Sequence, residues 1–238
     1  MVENRKVFEN SIFHVHTSRC GHASDEEDEA YVEKAVELGA RMIAFTDHAP
    51  FPGNQFTHRM AFDQLSEYIA SLKSLKMKYA DVITVMIGLE IEYMPSFIQY
   101  YEELKANPDI EILMLGQHMF ERSPGDYSFK HKGLWFPEVA DSLISAIKAG
   151  LFDGIAHPDR IYKFEKEWTE KMEGIGKEII REAGQRGMFL EQNEESKRVR
   201  NYYWPQFWDI AKEMKDDFDI PLLILRGVDA HSTKEMMI

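Results

Sequence analysis

One cysteine, Cys20, stands in 238 residues, so no disulfide can form within the chain and a reducing compartment is expected. The N-terminal stretch MVENRKVFEN lacks the apolar core of a secretory signal. No run approaches the roughly 18 apolar residues of a membrane span. Ser/Gly/Pro-rich linkers, low-complexity tracts and internal repeats are also missing, so one domain over residues 1–238 is expected. Positive charge is scarce: 28 Lys and Arg against 41 Asp and Glu leave a net charge of −13. That balance repels nucleic acid and anionic membrane surfaces, and a cytoplasmic protein with neither partner is the expectation. An anionic small molecule could still bind where bound metal ions reverse the local field.

What is present is core material. Apolar residues make up 44% of the chain, with 15 Phe, 10 Tyr and 4 Trp, enough for a sizeable interior. Seven short apolar runs read as strands: 11–17, 41–48, 82–93, 110–120, 152–161, 187–193 and 221–232. Several are apolar at consecutive positions, as parallel strands covered on both faces require. Helical patterns lie between them at 26–38, 62–79, 96–105, 137–149, 167–186 and 204–216, with Gly39 as a stop for the first. Strict alternation points to an α/β fold of the (β/α) barrel kind, with a doubly wound open sheet as the alternative. The glycine fingerprint of a dinucleotide-binding unit is absent after the first strand.

The chain has nine histidines, and their placement carries the chemistry. His14 and His16 are two apart in the first strand and should leave the same face. His22 follows in the next loop, and His48 ends the second strand in Phe45-Thr46-Asp47-His48. Glu90, with Glu92 on the same face, sits late in the third. His118 and His157 end the fourth and fifth, and Asp229 and His231 form a second i, i+2 pair at the last. In a parallel barrel these C-terminal ends open on one rim, where active sites are built. Histidine with carboxylate is the ligand set of zinc, manganese or iron. His58 and His131 fall outside the set and read as solvated loop residues. Cys20 reads as a small packing residue, because Arg19 is its only cationic near neighbour. Phe51, Phe56 and Phe62 read as core, or as the lining of a substrate mouth.

These residues resemble the polymerase-and-histidinol-phosphatase (PHP) superfamily over nearly the whole chain. The match lies in His14-x-His16-Thr17 with Cys20-x-His22, Thr46-Asp47-His48, Gly88-x-Glu90, Gly116-x-His118, Ala156-His157 and Asp229-Ala230-His231. Asp47-His48-Ala49-Pro50, Arg59-Met60, Gly88-Leu89-Glu90-Ile91-Glu92-Tyr93 and Leu190-Glu191-x-Asn193 resemble its histidinol-phosphatase branch. The resemblance implies a distorted (β/α)7 barrel with its active site at the C-terminal ends of the strands. It implies three divalent ions (zinc, manganese or iron): one on His14, His16, Glu90 and Asp229, a second on Glu90, His118 and His157, a third on His22, His48 and His231. The chain departs from the branch at Val228, where serine is usual, and at Gln192, where an apolar residue is usual. It also ends six residues past Ser232, where relatives continue into a closing helix.

The implied reaction is hydrolysis of L-histidinol phosphate, a step of histidine biosynthesis. Three divalent ions, offset by two carboxylates and a hydroxide, leave an excess of about +3 to receive a phosphate dianion. A hydroxide bridging two of the ions is expected to attack phosphorus in line. Asp229 and His231 are the candidate catalytic residues, Asp229 as a proton carrier to the leaving alkoxide. Arg160, Arg198 and Arg59 are candidates to clamp the phosphate, and Asp47 is a candidate to orient a ligand. Two other readings compete: a phosphoesterase for a different small ester, and a non-catalytic metal-binding barrel.

Overall fold

The computed structural model describes residues 8–128, 135–199, 202–219 and 221–238. The chain divides into two compact units, one of Met1–Glu90, Asn107–Leu113 and Gly227–Ile238, the other of Ile91–Ala106 and Met114–Arg226.

In the first unit β1 (Ser11–Val15), α1 (Asp28–Glu37), β2 (Met42–His48), α2 (Leu65–Lys78) and most of β3 (Thr84–Ile91) follow in order. Every residue of β2 is buried. It lies parallel between β1 and β3, with Ile43 opposite both Ile12 and Val85, which is why its sequence is apolar at consecutive positions instead of alternating. Helix α1 ends as its sequence promises. Gly39 turns left-handed at φ 77°, its N–H reaching Val36 O and that of Ala40 reaching Ala35 O, a Schellman closure. Gly88 is required by crowding, since a Cβ there would sit 2.9 Å from both Cβ and O of Ile112. The buried Tyr68 hydroxyl donates to Gly88 O at 2.8 Å and ties α2 to β3.

The chain returns to β1 near its end. Val228 N–H donates to Phe13 O (2.8 Å), His16 N–H to Ala230 O (2.9 Å) and Ala230 N–H to His14 O (3.1 Å). The register of β1 slips between Phe13 and Val15, where His14 adopts φ 73°. The simple alternation expected for His14 and His16 is therefore broken by a bulge.

The second unit contains α3 (Ile98–Ala106), half of β4 (Ile112–Leu115), the antiparallel hairpin β5 (Phe120–Ser123) and β6 (Asp126–Ser128), α4 (Trp135–Ala149), β7 (Gly154–Ile155), α5 (Glu170–Gln185), β8 (Phe189–Asn193), α6 (Glu194–Arg198), α7 (Pro205–Met214) and most of β9 (Ile224–Gly227). The seven-stranded sheet runs β1-β2-β3-β4-β7-β8-β9. The hairpin is not among the elements the sequence predicts, although Pro124-Gly125 between its arms, with Gly125 at φ 82°, is a turn signal. The strand expected at 152–161 shrinks to Gly154–Ile155. His157 turns left-handed at φ 33°, and Pro158 opens a 3-10 turn that runs to Tyr162. The fully buried Asp159 carboxylate accepts Trp204 N–H (2.8 Å) and Trp208 Nε1–H (2.9 Å), anchoring the start of α7. Among the described residues no helix is long and apolar enough to cross a membrane.

Candidate metal centre

Seven of the nine proposed ligands lie in the first unit, and the fold brings them together. His48 closes β2 opposite Glu90, the penultimate residue of β3. His14 Nε2 stands 3.3 Å from Glu90 Oε2 and 3.5 Å from Asp229 Oδ1. His16 Nε2 stands 3.2 Å from Asp229 Oδ1 and 3.6 Å from Glu90 Oε2, while its Nδ1 lies 3.5 Å from Asp47 Oδ1. His48 Nδ1 is 3.2 Å from Glu90 Oε2. The ring of His16 packs 4.3 Å from that of His231 and 4.4 Å from that of His48, centroid to centroid. Donor atoms fall within 4.8 Å of one another in the sets His14/His16/Asp229, His16/His48/Glu90, His22/His48/His231 and His16/Cys20/His231.

Two features of this cluster fit a bound cation. The first concerns His22 and His231. A carbonyl oxygen can only accept, so His22 Nδ1–H donates to Cys20 O (3.0 Å) and His231 Nδ1–H to Asp229 O (3.2 Å). Burial lowers the pKa of both, that of His231 to about 3, so both rings are neutral. Their Nε2 atoms nevertheless face each other at 3.0 Å. Two lone pairs so close repel unless a cation lies between them. The second feature is His16, wholly buried, with Nε2 3.2 Å from Asp229 Oδ1 and Nδ1 3.5 Å from Asp47 Oδ1. Burial opposes its charge, but the carboxylates of Asp229 and Asp47 outweigh that and lift its pKa to about 9. The carboxylates around His16 therefore favour positive charge at this spot, which a proton supplies or a metal ion would supply in its place.

Asp47 supports the cluster. It accepts from the backbone N–H of Thr17 (3.3 Å) and of His48 (2.9 Å), and from the Thr17 hydroxyl. It therefore faces His16 in a fixed pose, as carboxylates behind metal-bound imidazoles do. Cys20 is buried, as expected of a packing residue. Arg59 donates to Ala49 O (3.1 Å) and stacks over Phe51 and Phe56, which are themselves buried and edge to face. Phe62 is exposed. His58 is exposed too, but its ring is 5.7 Å from that of His22. His131 lies outside the described residues.

In the second unit the rings of His118 and His157 are 5.0 Å apart. His118 Nδ1 lies 3.2 Å from Glu92 Oε1, and His157 N–H donates to Glu191 Oε2 at 2.9 Å. Asn193 Nδ2 donates to the same Glu191 oxygen (3.3 Å). In the sequence Glu92 is marked by its face alone, and Glu191 and Asn193 only as parts of a resemblance. Their signal is a buried polar residue inside an otherwise apolar strand. Arg160 is held by Glu195 (2.7 Å), Asn193 (3.2 Å) and Ser196 (2.9 Å). Arg198 lies at the exposed end of α6. Gln192 is half-buried and bonds the Tyr203 hydroxyl (2.8 Å).

A family model described as the PHP domain matches residues 13–195. A probable histidinol-phosphatase of Deinococcus radiodurans is 30% identical over 159 residues, 63% of this chain and 61% of that protein. The aligned part thus spans less than two thirds of that relative. A crystal structure of a Listeria monocytogenes chain named hisK superposes with a TM-score of 0.78 at 19% identity, covering 94% of this chain and 96% of that one. The histidinol phosphate phosphatase of Lactococcus lactis, crystallised with zinc, L-histidinol and phosphate, gives 0.72 at 19% identity, covering 94% and 87%. The expected distorted (β/α)7 barrel is the fold these chains share.

Proposed function

Because the chain belongs to the PHP domain family, we propose that it is a metal-dependent phosphomonoesterase that converts L-histidinol phosphate to L-histidinol and phosphate. The observation that carries the metal dependence is the pair of neutral imidazoles, His22 and His231, with Nε2 atoms 3.0 Å apart. The names of the relatives, and the zinc, L-histidinol and phosphate crystallised with the Lactococcus chain, support the substrate. His14, His16, Glu90 and Asp229 would hold one divalent ion and His22, His48 and His231 another. His118 and His157 would supply donors to a third. Bound there, such ions activate water near neutral pH and neutralise charge on phosphoryl oxygens.

The chain's own residues do the rest. Asp47 and Glu92 fix the orientation of His16 and His118. Glu191 accepts the His157 N–H and thereby holds the left-handed backbone that aims this side chain. The phosphate dianion is assigned to Arg160, which Asn193, Glu195 and Ser196 position. Arg198 is exposed and Arg59 is committed to Ala49 O and two phenyl rings, so neither is needed for that role. The proton that the attacking water gives up is assigned to Asp229, which would pass it to the leaving alkoxide; His231 Nδ1 stands 3.8 Å from Asp229 Oδ1.

The test is phosphate release from L-histidinol phosphate by zinc- or manganese-loaded protein, ranked by kcat/KM against sugar phosphates and nucleotides. The reading requires L-histidinol phosphate to lead. A different ester in first place would replace the substrate while leaving the metal centre intact.

A further inference from the structure

Arg19 lies at the outer edge of the first unit's cluster, and the function above gives it no task. Its side chain is largely buried, at 12% exposure. A guanidinium offers five N–H donors in one rigid plane. Here all five are used. Nε–H and one Nη2–H donate to Glu67 (2.7 and 3.0 Å), and the other Nη2–H and one Nη1–H donate to Asp28 (2.9 and 2.7 Å). The fifth, on Nη1, donates to the Thr17 hydroxyl at 3.0 Å. Asp28 opens α1 and Glu67 lies on α2. Ser71, also on α2, donates to Asp28 (2.5 Å), and the Tyr68 ring lies 5.6 Å under the guanidinium. Two helices thus hold the fork in place.

A brace between α1 and α2 needs only the four bonds to carboxylates. The independent observation is where the fifth leads. The Thr17 hydroxyl, wholly buried, accepts from Arg19 and so has its one proton free to donate, and it donates to Asp47 Oδ2. Thr17 N–H donates to the same oxygen (3.3 Å). That leaves Oδ1, which accepts His48 N–H (2.9 Å), to face His16 Nδ1 at 3.5 Å. A carboxylate oxygen only accepts, so a neutral His16 ring keeps its proton on Nδ1. Its lone pair then sits on Nε2, the nitrogen beside Glu90 and Asp229.

We propose that Arg19 is a positioning residue for the metal centre, acting through Thr17 and Asp47 to fix the ring of His16 and present its Nε2 to the cation. This rests on the reading of His16 as a metal ligand. Each link has one direction: Arg19 donates to Thr17, Thr17 donates to Asp47, and Asp47 receives His16. Without Arg19 the Thr17 hydroxyl rotates freely, Asp47 loses a fixed donor, and the imidazole is held less firmly. The ligands stay in place, so affinity falls without the site being lost.

The test is the zinc affinity of the full chain, by competition with a chromophoric chelator, beside the Tm of the metal-free protein. Arg19→Gln should weaken zinc by about threefold to tenfold, below the roughly 10–100-fold expected for a group that touches the ligand itself. Thr17→Val keeps the branched shape without the hydroxyl and should weaken zinc at least as much, whereas Thr17→Ser should restore affinity. In the Thr17→Val background, Arg19→Gln should cost no further affinity, yet it should still lower the metal-free Tm by breaking the bonds to Asp28 and Glu67. A lowered Tm with unchanged zinc affinity, or losses that multiply in the double variant, would make Arg19 a brace and overturn the proposal. If Arg19→Gln does not fold, equal affinity in Thr17→Val and Thr17→Ser overturns it instead. Zinc failing to bind the unmutated protein would reject the histidine ligands and the relay together, whereas zinc bound with no response to either residue rejects the relay alone.

Discussion

His14 and Asp229 face each other across 3.5 Å, and both stand on left-handed backbone, at φ 73° and 53°. Neither is glycine, and neither position lies in a free turn. His14 sits in the bulge of β1, and Asp229 lies between Val228 and Ala230, both bonded to that strand. Such backbone costs on the order of 1–3 kcal/mol per residue and persists only where the surroundings impose it. Here it points a nitrogen and an oxygen donor at one spot, and His157 repeats the device in the second unit at φ 33°.

Metal should stabilise the fold. A ligand present at 100 times its dissociation constant adds about 2.7 kcal/mol, which in a chain of this size raises Tm by roughly 5–10 °C. Thermal scans of chelated and zinc-reconstituted protein check this, and identical midpoints would count against any cation site built by the fold.

Asp47→Asn should weaken metal binding by about 10–100-fold without unfolding the chain. The amide oxygen introduced there could still accept the Thr17 N–H, but the charge opposite His16 Nδ1 would be gone. Competition with a chromophoric chelator measures the change. Unaltered affinity would reduce Asp47 to a loop brace.

Much of this is legible in the sequence. Consecutive burial along β2 follows from Met42-Ile43-Ala44-Phe45, and Gly39 marks its turn. The ligands can be named because imidazoles and carboxylates at strand ends are chemically conspicuous. The bulge at His14 cannot be read, because it arises from pairing with a segment over 200 residues away. The early end of β7 is legible after all, because Pro158 with Asp159 and Arg160 follows directly on Ile155-Ala156-His157 and cannot continue an apolar strand. The hydrogen bonds tying Arg160 to Asn193, Glu195 and Ser196 depend on tertiary placement, so its sequence neighbours give no hint of them.

Gly154→Ala should destabilise by about 1–3 kcal/mol through overpacking. An added Cβ would lie 2.3 Å from atoms of the Phe189 ring. Chemical denaturation should show a lower midpoint at unchanged slope, and a neutral result would mean that β7 and β8 separate freely.

Asp159 supplies a pH dependence. Burial raises its pKa from 3.8 to about 7, against bonds from Trp204 and Trp208 that lower it. The folded state thus holds the proton more tightly than the unfolded one, so this group's contribution falls as pH rises from about 4 to 7 and stays low above. Asp159→Asn, unable to ionise, should therefore gain in Tm relative to the parent protein as pH is raised from 5 to 8. A difference that is constant with pH would show that the carboxylate is already charged at little cost.

The most direct measurement is element analysis of protein purified without exposure to chelator. At least about two zinc, manganese or iron ions per chain are predicted, since the donor sets overlap too closely to leave their imidazoles without cations. Fewer than about two per chain would contradict the metal centre on which the proposed hydrolysis depends.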